Sequence, residues 1–149
     1  EMLMAAKTMQ ESMKLLEPIL KDSDKASRIK FILGTVEGDL HDIGKDLVGM
    51  MLEGAGFEVI DLGIDVSPSA FVDAIKEHGA PLVGMSSLLT TTMPKMKETI
   101  NTINEAGLRD KVQILVGGAP VTEEYAEQIG ADGYASDASN ATEVAKKLS

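Results

Sequence analysis

The 149-residue sequence predicts an open α/β sheet of five parallel strands, doubly wound by helices on both faces. Three observations predict it. From Ile29 onward, short apolar runs alternate with helix-patterned stretches, the order that builds parallel sheets covered by helices. The runs are continuously apolar rather than alternating, as suits strands buried on both faces. Glycines stand at Gly54, Gly56, Gly79, Gly107 and Gly130, where each helix should stop.

The elements follow in order. Met2, Met9, Met13 and Leu16 fall near one face at helical spacing, with Ala5 and Ala6 between them, and Pro18 ends this first helix. The charged, apolar-poor stretch from Leu20 to Ser27 reads as a linker. Strand one is expected over Ile29–Val36, followed by a helix opening at Ile43. Strand two covers Phe57–Leu62, and Ser67-Pro68 then supplies an N-cap with proline at the first helical position. Strand three is Leu82–Ser86, and Thr92 with Pro94 marks the next helix start. Strands four and five are Val112–Val116 and Asp132–Ala135, and Asn140 with Glu143 has capping-box spacing for the last helix. Such alternation gives the Rossmann-like, doubly wound sheet in the flavodoxin-like order 2-1-3-4-5. Residues 28–149 form this domain, and residues 1–27 a preceding helix and linker. The start at Glu1, in mid-pattern and without an initiator Met, reads as a fragment of a longer product.

Composition narrows the function. A net charge of −10 argues against nucleic acid or an anionic membrane as partner, since both are reached through Lys/Arg patches. No cysteine is present, so there is no disulfide frame, thiolate metal site or cysteine nucleophile, which suits a reducing cytoplasm. No apolar run approaches a membrane span. Five aromatic residues in all leave the core to aliphatic side chains and methionine.

Three loops follow strands at the carboxyl edge, where open α/β sheets bind ligands. After strand one comes Asp39-Leu40-His41-Asp42-Ile43-Gly44. A carboxylate two residues before an imidazole can take one ring N–H and leave the other nitrogen free as a base or metal ligand. Gly44 removes a side chain where something large could approach the backbone. Taken alone, His41 could equally cap a helix or stand solvated. After strand three comes the hydroxyl-rich run from Ser86 to Thr92, which local capping would also explain. After strand four, Gly117-Gly118 either opens the main chain to a ligand or makes a tight turn.

Together the three loops resemble the cobalamin-binding domains of corrinoid proteins, whose signature is D-x-H-x-x-G, then S-x-L some forty residues later, then G-G. Asp39, His41 and Gly44 match the first element, and Ser86 and Leu88 match the second after the intervening residues 45–85. Gly117-Gly118 match the third, so the resemblance covers Ile29 to Ser149. Residues 1–27 are similar to the last helix of the helical cap that precedes this domain in corrinoid methyltransferase proteins, the other cap helices being absent. For Met2, Met9 and Met13 a core stripe in such a bundle outweighs a direct cofactor role.

The resemblance implies a cobalamin or related corrinoid, with His41 replacing the cofactor's own base below cobalt and the displaced tail running into the sheet between the Ser86 and Gly117-Gly118 segments. It implies cofactor contacts from Asp39, Leu40, His41, Asp42, Ile43, Gly44, Ser86, Leu88, Thr90, Thr92, Gly117, Gly118 and Tyr134. Asp39 would hold the imidazole N–H, with the Thr92 hydroxyl behind the pair. Asp42 divides evenly between the corrin edge and the helix N-terminus. His78 suits the last turn of its helix, and Asp61, Asp65 and Asp137 lack a cluster at metal-ligand spacing.

The function so implied is a methyl carrier rather than a complete enzyme. It would cycle between Co(I) and methyl-Co(III) and shuttle methyl from a substrate-specific methyltransferase to an acceptor methyltransferase of the methanol, methylamine or aryl-methyl-ether type, a homo-oligomer being left open. The alternative is the small cobalamin-binding subunit of a mutase, which usually lacks a cap helix. A cobalamin-binding regulator would need a basic DNA-binding module that is missing, and a cofactor-free scaffold of the same fold would purify colourless.

Overall fold

A computed structural model describes residues 28–149, so the helix, linker and cap expected over residues 1–27 lie outside the described residues. The strands are β1 (Lys30–Val36), β2 (Glu58–Val66), β3 (Leu82–Ser86), β4 (Gln113–Gly117) and β5 (Gly133–Ala135). The helices are α1 (Ile43–Gly54), α2 (Pro68–His78), α3 (Pro94–Glu105), α4 (Glu123–Ile129) and α5 (Ala138–Leu148). All strand pairs are parallel and the order is 2-1-3-4-5, as the alternation predicts.

The side-chain period of two divides the core into two layers. Ile32, Val36, Val83, Ile114 and Val116 turn to one face, where Phe71, Ile75, Met96, Ile100 and Ile103 of α2 and α3 close over them. Phe31, Leu33, Leu82, Leu115 and Ala135 turn to the other, with Leu52 of α1 and Ala141 and Ala145 of α5. Phe31 meets Phe57 edge-on, ring centroids 6.1 Å apart. The second layer is thinner, because glycine and alanine occupy several of its positions. That difference in packing positions the site.

Several local expectations are corrected. β2 runs to Val66 instead of stopping at Leu62, because register shifts on either side of Gly34 let Gly63 and Val66 remain paired with β1. Asp65 adopts φ +53°, an uncommon value for a residue with a side chain. Thr92 does not cap α3: Met93 occupies that position, and the Thr92 hydroxyl is committed elsewhere. Asn140 lies within α5, whose N-cap is Asp137 accepting from the Asn140 N–H at 2.8 Å, while the Asn140 side chain reaches back to the Ser136 N–H. Ser67 does cap α2, accepting from the Ala70 N–H. The αL glycines Gly79 and Gly130 close α2 and α4.

Candidate functional site

The loop from β1 to α1 is held at several points. The buried Thr35 hydroxyl donates to the His41 carbonyl at 2.9 Å. The Asp65 N–H donates to the Asp39 carbonyl, and the Asp65 carboxylate accepts from the Gly38 N–H at 2.7 Å. So fixed, the loop turns Asp39 inward to complete burial and leaves the His41 side chain 48% exposed.

The Asp39 carboxylate is saturated. Oδ1 accepts from His41 Nδ1 at 2.7 Å and from the His41 backbone N–H at 3.1 Å. Oδ2 accepts from the Leu88 N–H at 2.8 Å, the Leu89 N–H at 3.3 Å and the Thr92 hydroxyl at 2.7 Å. Burial pushes its pKa up, but the bonds from Thr92, the Leu88 N–H and His41 outweigh that and hold it well below the usual carboxylate range. An ionised Asp39 can only accept, so Nδ1 carries the proton and Nε2 keeps its lone pair. Behind Thr92 lies the buried Ser87, its Oγ 2.8 Å from Thr92 Oγ1. Because Thr92 spends its proton on Asp39, the Ser87 hydroxyl proton has two acceptors in reach, Thr92 Oγ1 and the Leu89 carbonyl at 3.1 Å.

The double glycine has a reason within the protein. Gly118 has φ +131°, and a Cβ there would collide with the Ser87 carbonyl. A Cβ on Gly117 would crowd the Ala135 carbonyl. The loops after β3 and β4 therefore meet backbone to backbone, with the Ser87 N–H donating to the Gly117 carbonyl at 3.2 Å. Gly44 is different. Nothing lies within 4 Å of a Cβ built on it, so no neighbouring protein atom demands glycine there.

From this edge a cleft of about 590 Å³ runs inward between α1 and α5 over the thinner face of the sheet. Leu40, His41, Asp42, Ile43, Gly44, Ser86, Leu88, Gly117 and Gly118 line it, and Asp39 and Thr92 are buried behind His41. Thr90 is exposed in its loop, outside that lining. Tyr134 is also placed elsewhere: Ala135 takes the cleft side of β5, and by strand alternation Tyr134 packs against the opposite core layer. Asp42 sits at the N-cap of α1 without a side-chain cap bond. His78 ends α2, as its place before Gly79 suggests.

Three features escaped the reading of the sequence. Ser87 extends the hydrogen-bond chain, yet it is one hydroxyl among several in its run. Lys45 lines the cleft almost fully buried, with Nζ 2.7 Å from Asp46 and 2.8 Å from both oxygens of Asp61. Burial opposes its charge and the two carboxylates more than offset this, so its pKa is raised. Ala138, Ala141 and Ala145 at helical spacing on α5 are the third feature, a visible sign that this helix comes close to the sheet. Among the described residues no three His, Cys, Asp or Glu side chains gather to hold a metal ion. A metal at His41 would therefore bring its other ligands with it. No described helix is long and apolar enough to cross a membrane.

The B12 binding domain family matches residues 29–143. Dimethylamine corrinoid protein 3 of Methanosarcina mazei is 46% identical over 147 residues, covering 98% of this chain and 88% of its own length. A cobalamin-binding protein of Desulfitobacterium hafniense superposes with a TM-score of 0.80 at 41% identity, over 83% of this chain and 60% of its own. The methanol:cobalamin methyltransferase complex MtaBC of Methanosarcina barkeri contains a chain with a TM-score of 0.78 at 27% identity, over 98% of this chain and 58% of its own.

Proposed function

From the premise that this chain belongs to the B12-binding domain family, among the corrinoid proteins of methyltransferase systems, we propose that it is a methyl carrier with His41 as the lower cobalt ligand. One observation carries this: His41 donates Nδ1–H to a buried, ionised Asp39 and presents Nε2 at the mouth of a deep apolar cleft. The residues present fit a corrinoid. A single oriented imidazole suffices for a metal whose equatorial ligands belong to the macrocycle, and the open space above Gly44 leaves room for a large ring.

A bound corrinoid would supply the methyl-transfer chemistry, that of the Co(I)/methyl-Co(III) couple. The protein's part is proton placement. With Nδ1–H fixed on Asp39, Nε2 is a strong donor whose direction is set by the loop. A proton at Nε2 would withdraw that lone pair. Thr92, with Ser87 behind it, helps hold Asp39 in its ionised, acceptor-only state. Leu40 and Leu88, exposed at the mouth of the cleft, would border the ring. The partners are a substrate-specific methyltransferase and an acceptor methyltransferase, in the reducing cytoplasm that a cysteine-free chain suits. No observation favours a mutase subunit.

The test is reconstitution with hydroxocobalamin, followed by paramagnetic resonance of the Co(II) form with isotopically labelled histidine. Hyperfine splitting from a protein nitrogen is expected, and its loss in His41→Ala while the corrinoid stays bound. Splitting from the cofactor's own base in the native protein would refute the assignment.

A further inference from the structure

The cleft reaches well below the edge at which His41 stands. Thr35 of β1 pairs with Ser86 at the mouth, Leu33 with Gly84, and Phe31 with Leu82. Four residues of parallel strand separate Phe31 from the Thr35 row, a depth of about 13 Å at the usual rise per residue. That is far beyond what a ring seated at the mouth occupies, and it suits a nucleotide tail. The chemistry of the walls changes along this path. The polar side chains that line the cleft belong to its rim or to the first turn of α1: His41, Asp42, Ser86, Ser136, Asp137 and Lys45. Of these Lys45, the one that is buried, has its ammonium held by Asp46 and Asp61.

Further in, the lining is Phe31, Leu33, Gly84, Leu115, Ala135 and Ala141, each buried and each without a side-chain hydrogen-bond donor or acceptor. The main-chain groups of β1, β3 and β4 are engaged in the sheet ladders at this level. Gly84 keeps the floor low, since a Cβ on it would strike the Phe31 ring.

Resting on the corrinoid function above, we propose that the buried end of this cleft selects the base of the cofactor's tail, taking an apolar benzimidazole and rejecting a purine. Detached from cobalt, dimethylbenzimidazole brings one unpaired ring nitrogen into the cleft. Adenine brings two ring nitrogens and an exocyclic amine besides, and the deep side chains offer them no partner. Buried polar groups left without a hydrogen bond weaken binding strongly. The discrimination is about tenfold or more, where tenfold corresponds to about 1.4 kcal/mol.

The experiment measures dissociation constants of the full chain for three probes by absorbance titration. They are cobalamin, the cobamide with adenine in place of dimethylbenzimidazole, and cobinamide, which has no nucleotide. Cobalamin should bind about tenfold or more tightly than the adenine cobamide, and more tightly than cobinamide. Equal or reversed affinities of the two complete cobamides would overturn the selection. Equal affinities of cobalamin and cobinamide would show that the tail does not occupy the cleft, overturning it while leaving the corrinoid function intact. Failure of all three to bind would overturn both. In Ala141→Leu, which fills the inner cleft, cobalamin affinity should fall to that of cobinamide, and retained cobinamide binding shows the mouth to be folded. Undiminished cobalamin affinity in that variant would count against the proposal.

Discussion

Asp39 has no solvent contact and five protein donors, so nearly all its energy lies in hydrogen bonds that only the native fold provides. Its depressed pKa sets the sign of a pH effect. A carboxylate with a folded pKa below its unfolded value binds fewer protons when native. Its contribution is therefore present above the ordinary value of about 3.9 and lost as pH falls through the folded one. In the apo protein, Asp39→Asn should flatten the loss of thermal stability below about pH 4 relative to the native sequence; superimposable melting-temperature profiles would assign acid lability to other carboxylates. Thr92→Val removes one strong donor without changing side-chain shape, and should cost about 1–3 kcal/mol in urea unfolding. At this scale the spacing of Asp39 and His41 was informative because a short loop leaves few ways to separate them. Ser87 was not, because its role depends on a contact between the loops after β1 and β3. Tyr134 lies off the cleft, and on so short a strand only the register shows which face a residue takes.

The elements depend on a few close approaches. Gly118 combines a left-handed φ with backbone contact to Ser87, so Gly118→Ala is strained twice over. It should destabilise by more than the roughly 1 kcal/mol typical of point substitutions and should also disturb corrinoid binding, because the Ser87–Leu88 loop it displaces holds Asp39. Asp137→Ala removes the α5 cap and should cost about 1 kcal/mol by urea denaturation, without altering His41. Strands one and three were legible as short, mostly apolar runs with clear ends. β2 was read short because Gly63 and Asp65 look like turn residues, whereas an irregular edge register absorbs them. The start of α5 was misjudged for a different reason. Asp137 and Asn140 are both competent caps, and only the observed bonds show the carboxylate capping and the amide reaching back to Ser136.

Across the whole molecule, cofactor binding is linked to folding. Ligand at a hundred times its dissociation constant adds about 2.7 kcal/mol of stability if it binds the native state alone. For a chain of this length that corresponds to a rise in melting temperature of about 5–10 °C. Hydroxocobalamin should produce that shift in a thermal melt, and a cofactor-free scaffold of the same fold would show none. The order of the sheet could be foreseen because helix–strand alternation leaves few compact alternatives. The cleft could not, since it arises from the absence of bulk at Gly84, Ala135 and Ala141, three positions distant in sequence. The unequal filling of the two faces has a kinetic consequence. The layer formed by α1 and α5 should behave as a separate, weaker cooperative unit whose transient opening admits a long ligand. In the apo protein, amide hydrogens of α1 and α5 should exchange with solvent deuterium faster than those of α2 and α3. Loading with cobalamin should slow the first pair selectively, so that the cofactor serves as the missing part of a hydrophobic layer.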